Sequence, residues 1–251
     1  MTLLDTADVP EAFTEAAPAY DRMVALNPGY HQHLRSAADA LLEGLPRTGT
    51  GSLVDLGCGS GASTRALVDA ATASDIAITV VGVDASAGML GQAAAKVWPS
   101  GVSFHEGLAQ DLARCRADWG LTTPVDGVLA AYLFRNVAER DAVLADVHAL
   151  LADDGTLVVQ EYSVAGSAAA DLIWTLVSWL VVIPLAWATS RQTRLYRYLW
   201  RSVRTFDSVQ TFVDRLYAAG FTSVEVSSVP GWQRGILHTF RARKTGASAT
   251  R

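Results

Sequence analysis

Leu53-Val54-Asp55-Leu56-Gly57-Cys58-Gly59-Ser60-Gly61 sets the fold class of this chain. Its first half is an apolar run of the kind that forms a buried strand. Its second half alternates glycine with small residues. Glycine tolerates positive φ and lets a ligand come close to the backbone. Helical, alanine-rich sequence follows from Ala62 to Ala73. A strand, a tight glycine turn and a helix in that order form the first unit of an open α/β sheet.

Outward from this unit the same alternation repeats. Strands are expected at Ser52 to Leu56, Ile76 to Val83, Val102 to His105, Val125 to Tyr132 and Thr156 to Tyr162. Helices are expected at Ala62 to Ala73, Ala87 to Val97, Ala109 to Asp118 and Ala138 to Leu151, with Asp153-Asp154-Gly155 as the stop of the last. After Tyr162 an apolar, aromatic segment runs from Leu172 to Thr189, then a basic stretch from Arg191 to Arg204. A helix from about Asp207 to Ala219, ended by Gly220, precedes two alternating runs, Ser223 to Val229 and Gly235 to Arg243, with Pro230-Gly231 between them. The expected fold is α/β: a seven-stranded Rossmann-like sheet, mostly parallel, with its last strand antiparallel. One domain is expected over 1–251. It divides into a helical N-terminal lid (1–48, with a turn at Pro28-Gly29), a cofactor-binding core (49–163), an apolar helical insertion (164–206), a C-terminal helix and strand pair (207–245) and a flexible tail (246–251).

Two cofactors use such a glycine loop, dinucleotides and S-adenosylmethionine (SAM). The carboxylate of Asp55 suits the ammonium group of SAM and would repel a pyrophosphate. The glycines fall at 57, 59 and 61, so the last glycine of the dinucleotide fingerprint lands on Ala62. The next strand, Thr79-Val80-Val81-Gly82-Val83, ends at Asp84, suited to ribose hydroxyls. Dinucleotide enzymes place an acid at the same point. SAM is the favoured reading, with a dinucleotide dehydrogenase and a ligand-free βα turn as alternatives.

The chain has 251 residues and a net charge of −5, so it lacks the basic balance that nucleic acid demands. Local basic patches still allow contact with a membrane surface. The two cysteines, Cys58 and Cys115, cannot build a disulfide framework, and with no zinc spacing no metal site is expected. Met1-Thr2-Leu3-Leu4-Asp5 lacks the layout of a signal peptide. The expected location is the cytoplasm.

Four stretches carry a family resemblance: Val9-Pro10-Glu11-Ala12-Phe13 with Ala19-Tyr20-Asp21-Arg22-Met23; the glycine loop with Asp84 and Met89-Leu90; Phe134-Arg135-Asn136-Val137; and Tyr196-Arg197-Tyr198-Leu199 with Gly235-Ile236-Leu237-His238. With these the chain resembles class I SAM-dependent methyltransferases. Within that group it is similar to the ubiquinone/menaquinone-biosynthesis C-methyltransferase family. The resemblance implies SAM contacts from Tyr20, Asp55, Gly57, Cys58, Gly59, Gly61, Asp84, Ala85, Met89, Leu108, Ala109 and Ala131. It also implies methyl transfer to a small lipophilic aromatic acceptor, such as the ring carbon of a demethylated prenyl quinol. A homodimer is a further expectation. An O- or N-methyltransferase of secondary metabolism and a non-catalytic SAM-binding protein are the alternatives. The chain departs from the family at Gly107-Leu108-Ala109, where the family usually has an acidic or amide residue for the adenine amino group. That leaves main-chain groups, Gln110 or Asp111 to recognise the base. It departs again at Leu133, where a small residue is usual and the pocket is narrowed.

The SAM sulfonium already activates the methyl group, so the enzyme must align the acceptor and exclude water. Carbon methylation of a phenolic ring needs the phenol proton removed, and a phenol pKa near 10 leaves roughly 4 kcal/mol to offset at neutral pH. Arg135, just past strand four, is the candidate that stabilises a phenolate, or else a structural partner of Glu161. Asn136 holds a substrate oxygen or caps the helix near Ala138. His238 is a general base or a packing residue. His31 and His33 lie in the expected lid, on an exposed flank or facing the pocket.

The run from Leu172 to Ser190 holds no charge and carries Trp174, Trp179 and Trp187, and its length reaches that of a transmembrane helix. The later strands must return to the same sheet, which rules out a single crossing. Pro184 is expected to divide the run into two shorter helices. Arg191, Arg194, Arg197, Arg201 and Arg204 recur at helical spacing and form a basic face. Peripheral contact of 172–204 with the inner face of a membrane is one reading, and a buried helix hairpin is the other.

Overall fold

The apolar runs become strands β1 (Gly51–Leu56), β2 (Ile78–Asp84), β3 (Val102–Glu106), β4 (Val125–Ala131), β5 (Leu151–Tyr162), β6 (Ser223–Ser228) and β7 (Leu237–Arg243). They form one seven-stranded sheet in the order β3-β2-β1-β4-β5-β7-β6. The computed structural model describes residues 8–25, 27, 29–45, 49–189 and 193–246. From β3 to β5 all neighbours are parallel, and β7 runs antiparallel to both β5 and β6. The chain steps from β1 towards β3 on one side and from β4 towards β5 on the other. That switch in direction opens a crevice at the carboxyl ends of β1 and β4.

The helices are α1 (Val9–Ala25), α2 (Tyr30–Leu42), α3 (Ala62–Ala73), α4 (Ala87–Ala94), α5 (Leu112–Cys115), α6 (Arg140–Leu150), α7 (Ala168–Val177), α8 (Ile183–Thr189), α9 (Thr193–Thr205) and α10 (Val209–Ala218). Successive strand residues point to opposite faces. Leu53, Leu129 and Val158 therefore pack with Leu34, Leu41 and Leu67 under α2 and α3. Val54, Val128 and Val159 pack with Leu144, Phe212 and Phe240 under α6 and α10.

Four expectations change. Of the two helices in the expected lid, α1 lies over the crevice. Helix α2, whose Leu34, Ala37, Ala38 and Leu41 are buried against the sheet, is part of the core and not a lid. Pro28 and residues 46–48 lie outside the described residues, as do Arg191 and residues 247–251 of the expected tail. Asp153-Asp154-Gly155 does not stop a helix. Leu151 pairs with Val125 while Thr156 pairs with Gly127, so these residues bulge inside β5, with Asp154 at φ 62°. The helix expected over 109–118 is a 3-10 turn, Ala109–Asp111, followed by the short α5.

The fourth change concerns the insertion. α7 runs into α8 through a π-helical turn, Ser178–Val182, in which the Ile183 N–H bonds back to the Ser178 carbonyl. Pro184 sits just beyond this wider turn, which gives its ring room against the preceding carbonyls, so the rod is not divided. Among the described residues, Ala168–Ala188 is one helix long and apolar enough to cross a membrane. It leaves the sheet after β5 and returns to the same sheet at β6 and β7, so it does not span. The two ends of the insertion meet, because the Ser163 hydroxyl donates to the Asp207 carbonyl at 2.8 Å.

Candidate active site

The glycine loop is fixed from behind. The N–H groups of Gly57 and Cys58 both donate to the Val83 carbonyl, at 2.7 and 3.0 Å, which ties the β1 turn to β2. Gly57 stands at φ 78°, and a Cβ there would come within 2.9 Å of Leu133. Gly61 stands at φ 84°, and a Cβ there would meet Trp98 at 2.8 Å. Both positions demand glycine on conformation and on space. Asp55 is fully buried behind the loop and accepts from the hydroxyls of Ser63 and Thr64, both at the start of α3. Burial pushes its pKa up to about 6.

In front of the loop lies a cavity of about 500 Å³. Gly57, Cys58 and Gly59 form one side, Asp84, Ala85 and Met89 the second, and Gly107, Leu108, Ala109 and Gln110 the third. Asp84 accepts from the N–H groups of Gly59 and Ser86, each at 2.8 Å, and burial raises its pKa. Those bonds use half of the carboxylate's acceptor capacity. The remaining lone pairs are available to hydroxyls of a ligand in the cavity. Helix α1 closes the cavity with Val9, Pro10, Phe13 and Tyr20. It is latched at Asp21, which accepts from the Ser60 hydroxyl at 2.5 Å and pairs with Lys96 at 2.7 Å. A second bond joins Thr14 to Ser86 at 2.8 Å.

A second chamber of about 400 Å³ lies beneath the insertion. Tyr20, Tyr30, Tyr132 and Arg135 line both spaces and form their common wall. Tyr132 stands at φ 60°, a strained setting for a bulky residue. Its ring stacks between those of Tyr30 and Tyr162, and Tyr162 stacks on Trp174, with centroids 5.7, 5.2 and 5.1 Å apart. Val177, Ser178 and Val181 complete the roof. Among the described residues lining this chamber Arg135 is the one charged side chain. Its Nη1 donates to Glu161 Oε1 at 2.5 Å, with the two side chains 8% and 0% exposed. Its Nε is buried without a hydrogen-bond partner in the protein. Burial raises the pKa values of Tyr20, Tyr30, Tyr132 and Tyr162 above the usual phenol value. These hydroxyls stay protonated at neutral pH and do not serve as bases.

The structure brings most of the sequence-predicted residues together. Tyr20, Gly57, Cys58, Gly59, Asp84, Ala85, Met89, Leu108, Ala109 and Ala131 line the first cavity, as do Arg135 and Asn136. Asp55 and Gly61 do not line it: Asp55 supports the loop through α3, and Gly61 is packed beneath Trp98. Of the alternatives for the adenine end, Gln110 lines the cavity and Asp111 is engaged by Arg114 at 2.6 Å. Asn136 does not cap a helix, because α6 starts at Arg140 with Glu139 at its N-cap. Instead it accepts from the Tyr198 hydroxyl at 3.1 Å and donates to the Tyr132 carbonyl at 3.3 Å. His238 lines neither space. In β7 it stands opposite Glu161 of β5 in the backbone register and shares the parity of Phe240, facing the side covered by α10, and burial lowers its pKa. His31 is exposed and His33 is buried, and neither lines the donor cavity or the chamber beneath the insertion. Sequence reading missed Tyr30, Tyr132, Tyr162 and Trp174, and the latch partners Ser60 and Lys96. Only their aromatic or polar character on strand ends and helix faces signalled them.

Comparison with known proteins agrees with this geometry. A sequence model of the ubiE/COQ5 methyltransferase family matches residues 1–244. A demethylmenaquinone methyltransferase of Thermus thermophilus is 30% identical over 213 residues, 84% of this chain and 91% of the relative. A ubiquinone/menaquinone biosynthesis C-methyltransferase UbiE of Rhizobium etli is 27% identical over 231 residues, 89% of this chain and 84% of the relative. Among solved structures, the plantazolicin methyltransferase BamL, in complex with a triazolic desmethylPZN analog and SAH, superposes with a TM-score of 0.65. It shares 14% identity, over 96% of this chain and 97% of that one. A SAM-dependent methyltransferase from Thermotoga maritima gives 0.60 at 18% identity, over 94% of this chain and 100% of that one. At these identities the structural matches establish the fold.

Proposed function

Because this chain belongs to the ubiE/COQ5 methyltransferase family and uses SAM as its methyl donor, we propose that it methylates a ring carbon of a lipophilic phenol, a demethylated prenyl quinol. The observation that carries this reading is Arg135 in the wall common to the two cavities. The first cavity fits the donor: its glycine turn leaves the backbone open, and Asp84 retains acceptor capacity. When bound, the donor supplies an electrophilic methyl group. The residues around it orient the acceptor and exclude water, with α1 as one cover and α7 as the other.

In this reading the acceptor ring lies against the stacked tyrosines, and its prenyl chain lies along the apolar roof of the chamber. The guanidinium, held by Glu161, stabilises negative charge as the phenol loses its proton. A fixed cation about 4 Å from the oxygen contributes on the order of 4 kcal/mol at an effective dielectric near 20. That matches the cost of ionising a phenol at neutral pH. Pairing with Glu161 reduces this field, and the unpartnered Nε offers a direct hydrogen bond in compensation. We place the reaction in the cytoplasm, with no role for nucleic acid.

The test is the mass of the product when purified protein and SAM meet a panel of demethylquinols and simple phenols. One added methyl on ring carbon is expected. No turnover on any quinol, with methyl added to oxygen or nitrogen of another acceptor, overturns the reading in favour of an O- or N-methyltransferase. No turnover on any acceptor, with intact SAM binding, leaves a SAM-binding protein. Arg135→Gln is expected to lower kcat by about 100-fold. His238→Ala is expected to change it less than about twofold, because this side chain lines neither cavity.

A further inference from the structure

Helix α7–α8 has two unlike apolar faces. One carries Trp174, Val177 and Ser178 and closes the acceptor chamber. The other carries Leu172, Ile173, Leu176, Leu180 and Trp187, and it is bare. Leu180 is 71% exposed, Trp187 62% and Leu172 58%. Leu172, Leu176 and Leu180 recur every four residues and Trp187 follows seven residues, about two turns, later, so they form one stripe along the helix. A stripe of this length on a single helix is larger than the scattered apolar exposure of ordinary surfaces, and marks a docking face.

Charge identifies what covers it. The adjacent α9, Thr193–Thr205, carries Arg194, Arg197, Arg201 and Arg204 and no acid. Arg194 and Arg201 are exposed, Arg194 standing 3.7 Å from the likewise exposed Asp8, while Arg204 pairs with Asp171 at the start of α7. The whole chain is acidic, at −5. A local cluster of arginines beside tryptophan and leucine, on a molecule of opposite net charge, suits an anionic surface with an apolar interior. Trp179, 43% exposed, stands between the two helices with its ring against Trp200 and below Arg197. That is the position of an interfacial aromatic residue. A second copy of this chain would bring the same arginines together, which disfavours self-pairing through this face.

We propose that the bare face of α7–α8, flanked by the arginines of α9, docks on an anionic lipid bilayer. The helix lies in the interface plane, so a single helix separates lipid from the acceptor chamber. An acceptor dissolved in the bilayer then reaches the chamber by displacement of this helix, without passing through water. The π-helical turn at Ser178–Val182 lies in the middle of the rod and lines the chamber, where a change of helical register opens the wall. The docking itself does not depend on which acceptor the chamber takes.

The test is flotation of the intact protein with vesicles of phosphatidylcholine alone, or of phosphatidylcholine mixed with phosphatidylglycerol. The wild type is expected to float with the anionic vesicles at least about tenfold better than with neutral ones, and less well in high salt. The double substitution Leu176→Asp/Leu180→Asp lies outside both cavities. It is expected to abolish flotation while the thermal unfolding curve and SAM affinity stay as in wild type. Arg194→Gln and Arg201→Gln are each expected to weaken flotation by about fivefold. Absence of wild-type flotation overturns the proposal. So does equal flotation with neutral vesicles, or flotation unaffected by the double substitution. A concentration-dependent dimer that the double substitution dissolves, without vesicle binding, assigns the face to a second copy instead. A protein that floats but methylates no quinol upholds the docking and refutes the acceptor reading alone.

Discussion

The cofactor cavity and the acceptor chamber share a wall but are built by different means. The first is shaped by backbone: Gly57, Gly59 and Gly61 give the turn, and Asp84 holds it through the Gly59 N–H at 2.8 Å. Its residues come in short runs of neighbouring positions. The second is shaped by side chains from α1, α2, the loop after β4, β5, α7 and α9, with rings stacked on one another and one ion pair at its base. A backbone-built site fixes one ligand closely, and a side-chain-built site can be reshaped one residue at a time. The difference explains how a common donor accompanies many acceptors on this scaffold.

The contrast breaks first at Arg135. Arg135→Leu leaves Glu161 buried without its partner, and is expected to destabilise the protein by about 3–5 kcal/mol. Paired with Glu161→Leu, most of that loss should return, as read from denaturant midpoints. A single variant as stable as wild type would show that the chamber does not rest on this pair. On the other side of the wall, Asp84→Ala removes the anchor of the loop and the free acceptor capacity together. SAM affinity is expected to fall between about 100- and 1000-fold by calorimetry, with little change in stability of the chamber.

A third prediction concerns Asp55, whose burial raises its pKa from 3.8 to about 6. Below about pH 4 the folded and unfolded chains both hold this proton, and above about pH 6 neither does. Between those limits only the folded chain holds it, so folding takes up a proton and stability falls as pH rises. Asp55→Asn lacks this titration. Relative to wild type it should gain about 2–3 kcal/mol between acid and neutral pH, measured as the difference in unfolding free energy. A gap that stays constant with pH would place the carboxylate in a more polar setting. The smallest effect is expected at the latch. Asp21 and Lys96 are partly exposed, at 43% and 33%, so Asp21→Asn should speed SAM release only about two- to fivefold. Stopped-flow dissociation would show it.

Much of the fold was legible because β1 to β5 each carry an apolar run. Those five strands follow from period, while the closing pair with its reversed last strand follows from the family resemblance, since β6 is largely exposed. Where two signals overlapped, the reading slipped. Asp153-Asp154-Gly155 has the composition of a helix stop, yet its register within β5 is set by pairing with β4, a contact far off in sequence. Pro184 has the composition of a break, but the π-helical turn before it absorbs the misfit. In the site, the donor cavity was legible because its residues are contiguous. His238 was not: which way it points depends on its parity in β7, and so on the register of three strands. The tyrosine stack was hidden for the same reason, since Tyr30, Tyr132 and Tyr162 become neighbours only when the sheet forms.

The bond between Ser163 and Asp207 has a consequence for inheritance. The whole insertion enters and leaves the sheet through one stalk, closed at 2.8 Å. A stretch whose two ends already meet can be lengthened, shortened or exchanged at little loop-closure cost to the rest. Descendants of an ancestral gene could therefore trade this cassette, and with it the greasy face and the roof, while the strands beneath kept their register.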